Sequence, residues 1–154
     1  MVRQQWAVLR DTFIGQRDPY QCFDEYAQLE RSAGFRSTFF IEADGERWRR
    51  YGSPYKLNSA VQDILIKLIQ DGWEIGLHGG YYAASDAATL KRERARLTKT
   101  TKAEILGNRQ HYLRIDLPAT WHVYEASGFV YDSTLGYPYH FRLSFGDFLS
   151  LSTI

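Results

Sequence analysis

Four side chains that can bind a metal or transfer a proton lie at or near the ends of apolar runs in this 154-residue sequence. They are His78, Arg109, His111 and Asp132. Imidazole is a common zinc ligand, a carboxylate can act as a general base, and a guanidinium can orient a carboxylate. A lone histidine is weak evidence for a metal, so the elements that surround these residues decide whether they can act together.

The elements that must position these residues alternate between strands and helices. Apolar periodicity, N-cap residues and closing glycines predict helices over 20–33, 58–72, 86–97 and 118–127. Short β-branched and aromatic runs predict strands over 37–41, 73–77, 109–115 and 129–131. Such alternation predicts an α/β fold in which crossover helices join parallel strands. Ligands of these folds gather at the carboxyl ends of the strands, where all four side chains are expected to lie.

Composition narrows the function classes. Lys and Arg number 19 and Asp and Glu 18, so a net charge of +1 gives no reason to expect a nucleic-acid partner. Cys22 is the only cysteine, which excludes an internal disulfide and a cysteine-rich zinc site and fits a cytoplasmic location. No apolar stretch approaches the ~20 residues of a membrane span. The length fits one domain over residues 1–154.

Several motifs, in this order and spacing, resemble the polysaccharide deacetylases, also called the NodB-homology family. The segment 71–78, Asp-Gly-Trp-Glu-Ile-Gly-Leu-His, resembles the second motif of that family, and 37–41 is similar to its second strand. Residues 109–112, Arg-Gln-His-Tyr, resemble the third motif, and 129–137 is similar to a segment of a divergent branch. The resemblance covers roughly residues 18–142.

The resemblance implies a parallel (β/α) barrel and a divalent metal, usually zinc, held by one aspartate and two histidines. Its activity would be removal of N-acetyl groups from an amino sugar in a glycan or surface-polysaccharide precursor. His78 matches the first metal histidine of the family. Arg109 matches the arginine that orients the catalytic aspartate.

Three positions depart from the family pattern. Tyr82 stands where the second metal histidine is expected, and the aspartate pair of the first motif has no counterpart, since Asp11 and Asp18 stand alone. The late Leu-x-His motif would fall beyond Ile154. Only four strands are predicted, whereas a complete barrel has eight in ~250 residues. The barrel is therefore expected to be incomplete or distorted, with parts missing at both ends and little turnover by this chain alone.

The remaining residues suggest how the site is completed. At the end of the next strand, His111 can replace the missing metal ligand, and Asp132 is the remaining candidate for the base. Tyr82 and Tyr112 can bind the sugar through their rings. His122 and His140 are expected to be structural or exposed.

Two other functions fit the same pattern. A degenerate barrel can keep the cleft and lose the metal, which would make this chain a non-catalytic carbohydrate-binding module. A structural fragment, completed by a partner chain, is the other alternative. A sheet edge left open by missing strands makes a homo-oligomer plausible.

Overall fold

A computed structural model describes residues 22–43, 55–135 and 149–150. The described residues fall into two compact units, divided between Ser37 and Thr38. The first contains helix α1, Phe23–Ala33, which ends where Gly34 takes the left-handed conformation at φ 78°. Asp11, Asp18, Tyr137 and His140 lie outside the described residues.

The second unit contains the sheet. Strands β1 (Thr38–Glu42), β2 (Glu74–Gly79), β3 (Gly107–Gln110) and β4 (Tyr131–Asp132) are parallel and follow one another in chain order. The prediction of an α/β fold with parallel strands is therefore confirmed for these four strands. A fifth strand, β5 (Leu149–Ser150), pairs antiparallel with β4 and was not predicted. That pair of residues has none of the length or alternation by which a strand is recognised in a sequence.

Three helices connect the strands: α2 (Ser59–Gln70), α3 (Ala87–Thr101) and α4 (Ala119–Ala126). The predicted caps are present, because the side chain of Asn58 accepts the Val61 N–H and that of Asp86 accepts the Ala88 N–H, each at 3.0 Å. Helix α3 runs one turn past its predicted end, since Thr101 continues the buried stripe of Leu97. None of the described helices is long and apolar enough to cross a membrane.

The two faces of the sheet differ. Helices α2 and α3 contact β2 and each other, so they cover the face that carries the buried Ile75 and Leu77. The strand register places His78 beside Arg109, and both belong to the opposite face because successive side chains along a strand alternate. We call this second surface the histidine face. A one-residue slip in register would move His78 to the helix side.

Glycines on the histidine face make room for aromatic rings. The Tyr131 ring crosses Gly107, where an added Cβ would lie 2.1 Å from Cζ of the ring. The Tyr131 hydroxyl donates a hydrogen bond of 2.7 Å to the carboxylate of Glu74. The same carboxylate accepts a second hydrogen bond, of 2.8 Å, from the Thr38 hydroxyl. These contacts connect β1, β2 and β4 across the amino end of the face.

The contact at Gly107 gives a test of this packing. Gly107→Ala should lower the free energy of unfolding by about 1–3 kcal/mol, because the new methyl group forces the Tyr131 ring to move and costs its bond to Glu74. Urea unfolding of Gly107→Ala, Tyr131→Ala and the double variant measures the coupling. Gly107→Ala should lower the free energy of unfolding much less in the Tyr131→Ala background, where the ring is absent. An equal cost in both backgrounds would contradict the packing described.

Candidate functional site

The structure brings His78 and His111 together. Nε2 of His78 lies 3.0 Å from Nδ1 of His111, and the rings meet edge to face with centroids 5.1 Å apart. His78 is the penultimate residue of β2, not the residue after the strand as predicted. His111 begins a short 3-10 helix, His111–Leu113, that follows β3 directly. Both imidazoles therefore lie at the carboxyl ends of neighbouring parallel strands, where α/β folds place ligands.

Burial and neighbouring groups set the protonation of His78. Burial lowers the pKa of His78, and the positive charge of a protonated His111 lowers it further. A hydrogen bond with the Arg109 backbone raises the same pKa. Since Nε2 faces His111, Nδ1 is the nitrogen left to donate to that backbone. A neutral His78 then accepts, through Nε2, the hydrogen bond that Nδ1 of His111 donates at 3.0 Å, and a metal ion held by both nitrogens would replace that hydrogen.

The separation of the two nitrogens is close to what zinc requires. With Zn–N bonds of ~2.0–2.1 Å and tetrahedral angles, two histidine nitrogens on one ion lie about 3.3 Å apart. The observed 3.0 Å is shorter by a few tenths of an ångström, which a small rotation of either ring provides. Within residues 22–43 and 55–135, no cluster of three or more His, Cys, Asp or Glu side chains could hold a metal. The described residues therefore offer two nitrogen ligands, one fewer than the three protein ligands of a catalytic zinc site.

Gln110 holds the two histidine-bearing strand ends against each other. Its side-chain nitrogen donates to the carbonyls of Gly79 and Gly80, the two residues that follow His78. Its backbone N–H donates to the Thr134 hydroxyl at 2.9 Å, and the side chain is completely buried. The Gly80 N–H donates to the buried Glu93 carboxylate at 2.8 Å. The path of the chain on both sides of the histidine pair is thus fixed by buried hydrogen bonds.

Asp132 is not brought together with the histidines. The register pairs it with Asn108, on the face covered by the helices. Its carboxylate accepts bonds of 2.8–2.9 Å from the Asn108 amide and from the hydroxyl and backbone N–H of Thr134. Burial raises the pKa of Asp132, while the bonds from Thr134 and Asn108 act in the opposite direction. This geometry is that of a buried structural carboxylate that connects β3 to β4.

Arg109 lies beside His78 on the histidine face. One of its terminal nitrogens donates to the Ser133 carbonyl at 2.9 Å. No described carboxylate forms an ion pair with it, so the expected role of orienting a catalytic aspartate stays a prediction. Its charge lowers the pKa of His78 and helps to keep that imidazole neutral.

Tyrosines surround the outer side of the histidine pair. Tyr112 packs edge to face on His111, with centroids 4.4 Å apart, and Tyr81 contacts both Tyr112 and Tyr82. Tyr112 is 66% exposed and Tyr82 is 40% exposed, so both rings offer surface to a ligand. Tyr82 lies on the 3-10 helix Tyr81–Ser85, which follows β2 after one residue. A contiguous group of exposed aromatic rings is typical of a binding surface.

Glu42 is a candidate that the sequence interpretation missed. The described strands carry three carboxylates, of which Asp132 faces the helices and Glu74 lies at the amino end of the sheet. Glu42 is the last residue of β1 and pairs in register with His78, on the same face and at the same edge. The predicted strand ended at Ile41, one residue too early. Alternation from Phe40 would have placed Glu42 on the histidine face.

The comparisons with known proteins give no independent guide to the site. No protein-family model, no curated protein and no solved structure matches this chain.

The histidine pair predicts a specific pattern of zinc affinity. His78→Ala and His111→Ala should each weaken zinc binding by roughly tenfold or more, because each removes one of two ligands. His122→Ala is the matched control, since His122 is exposed on α4 and its loss should leave the affinity unchanged. Competition with a chromophoric chelator measures all four proteins. Equal zinc affinity in wild type and His111→Ala would remove His111 from the site.

Proposed function

We propose that this chain is a metal-dependent hydrolase of the polysaccharide deacetylase type, which removes N-acetyl groups from an amino sugar. The observation that carries the proposal is the contact of 3.0 Å between His78 Nε2 and His111 Nδ1 at the carboxyl ends of β2 and β3. Imidazole nitrogens are common zinc ligands, and two of them on one ion would need one more protein ligand to complete a catalytic zinc site. The motif resemblance assigns the same function to His78.

The sheet is proposed to be part of a (β/α) barrel. Strand order β1–β2–β3–β4 without reversal supports a barrel over a doubly wound sheet, in which the order reverses at a switch point. The contacts of α2 and α3 with each other and with β2 also support it, because helices cover only the outer face of a barrel. The histidine face would then be the interior. The antiparallel β5 departs from this pattern, as expected for a distorted barrel.

Each residue of the proposed site would have one role in amide hydrolysis. His78 and His111 would hold the divalent ion through the nitrogens that face each other. A bound zinc ion would supply Lewis acidity for the amide carbonyl. The exposed rings of Tyr82 and Tyr112 would hold the sugar, with the acetyl group directed at the histidines. Glu42 is the candidate for the base, since it accompanies His78 in register on the histidine face.

A non-catalytic carbohydrate-binding module is the second candidate. The position of Asp132 favours it. Asp132 was the remaining candidate for the base, but its carboxylate accepts hydrogen bonds from Asn108 and Thr134 on the other face of the sheet. Under this proposal the tyrosines bind a glycan and no bond is broken. Glu42 is the residue that separates the two functions, because a binding module does not need its carboxylate.

Acetate release tests the proposal. Zinc-loaded protein incubated with N-acetylated chito-oligosaccharides should release acetate slowly, and His78→Ala and Glu42→Gln should release about 100-fold less, the usual contribution of one acid–base group. Asp132→Asn is the matched carboxylate control. It should retain activity when circular dichroism shows that it is folded, because its contacts lie behind the sheet.

The same assay separates the alternatives. Acetate release that is identical in wild type and His78→Ala, together with retained glycan binding, would contradict the hydrolase and leave the binding module. Loss of activity in Asp132→Asn but not in Glu42→Gln would reverse the assignment of the base.

A further inference from the structure

Arg114 joins the two loops that border the histidine pair. Its backbone N–H donates to the His111 carbonyl at 3.3 Å, and its Nη1 donates to the Tyr81 carbonyl. Its guanidinium also stacks on Tyr81, with Cζ 4.2 Å from the ring centroid. The loop after β2 and the loop after β3 are therefore held together by one cationic side chain in a fixed orientation.

Within the part of the chain that the structure describes, most of the hydrogen-bonding capacity of Arg114 is unused. A guanidinium has five N–H donors, and the Tyr81 carbonyl is the single acceptor that the described residues provide for them. No carboxylate in residues 22–43 or 55–135 forms an ion pair with it. The side chain is half-buried. A partly desolvated cation without a counter-charge attracts an anion more strongly than a fully solvated surface lysine does.

The backbone beside Arg114 is strained in a way that exposes an aromatic ring. Tyr112 and Leu113 have φ of 55° and 52°, a left-handed conformation that costs a non-glycine residue roughly 1–2 kcal/mol. The strain places the Tyr112 ring in solvent, 6.0 Å from the Tyr81 ring on which Arg114 stacks. Strain of this kind concentrates at binding and catalytic sites. An aromatic ring and a cation are thus presented together next to His111.

We propose that Arg114 binds an anionic group of the substrate, so that the natural ligand is an acidic glycan: an acetylated amino sugar with a carboxylate or a phosphate close to it. The inference rests on the proposed function, because it places the sugar on Tyr112 and Tyr82. The planar guanidinium offers two parallel N–H donors, the arrangement that carboxylate and phosphate oxygens accept. Stacking on Tyr81 fixes the plane of the guanidinium before the ligand arrives, which reduces the entropy lost on binding.

Calorimetry with two matched ligand pairs tests this inference. Hyaluronan tetrasaccharide carries glucuronate next to N-acetylglucosamine, and chitotetraose is its neutral counterpart. N-acetylglucosamine 1-phosphate and free N-acetylglucosamine form the phosphate pair. Wild type should bind the anionic member of at least one pair tenfold or more tighter, the usual effect of a hydrogen bond to a charged group. The pair that shows this preference identifies the anion.

Variants assign the preference to Arg114. Arg114→Gln should bind the acidic and neutral members equally, and Arg114→Lys should keep part of the preference because it retains the charge but not the planar fork. Arg92→Gln, an exposed arginine of α3, is the matched control and should behave as wild type. If Arg114→Gln does not fold, two measurements replace it. Arg114→Lys should keep part of the preference for the acidic ligands, and high salt should weaken that preference in wild type.

Each remaining outcome contradicts a stated claim. Neutral and acidic ligands that bind wild type equally would overturn the acidic substrate and leave the proposed function intact. A preference that survives in Arg114→Gln would overturn the role of Arg114. Failure of all four ligands to bind would contradict carbohydrate recognition, and the inference with it.

Discussion

The register of β2 against β3 is the constraint on which the site depends. It places His78 beside Arg109 and Gly79 beside Gln110, and the Gln110 amide closes the arrangement by binding the carbonyls of Gly79 and Gly80. Each of these bonds is buried, so leaving one unmade would cost far more than an exposed bond contributes. The main chain on both sides of the histidine pair is thus held in place, and the imidazoles start from fixed backbone positions.

Buried polar groups behind the sheet support this register. Asp132 accepts from Asn108 and Thr134, and Thr134 in turn accepts from the backbone of Gln110. The Tyr124 hydroxyl lies 3.3 Å from the Thr134 hydroxyl, and burial raises the pKa of Tyr124. A continuous set of contacts therefore runs from α4, through Asp132 and Thr134, to β3, the strand that His111 follows. Such a network fixes one arrangement of the strands because any slip leaves a buried group without a partner. Asp132 is accounted for by this structural role, whether or not the chain is an enzyme.

Local patterns predicted the elements, whereas tertiary geometry decided which residues meet. Asn58, Asp86 and Gly34 mark helix ends through their own side chains or backbone conformations, which a sequence displays directly. Glu42 was missed because the predicted strand ended one residue too early, and Asp132 was assigned by its place at a strand end and not by the face of the sheet that it occupies. The left-handed Tyr112 and Leu113 could not be predicted either, since neither residue type favours that conformation. Their geometry depends on contacts between two loops, such as the bond between Arg114 and Tyr81, which lie 33 residues apart along the chain.

The central claim is that His78 and His111 form one metal site through particular ring nitrogens. A crystal structure with bound zinc, with the ion located by its anomalous scattering, tests this most directly. Nε2 of His78 and Nδ1 of His111 should both lie ~2.0–2.1 Å from the ion, and Nδ1 of His78 should still face the backbone of Arg109. An ion bound by His78 without His111, or located away from both, would contradict the account.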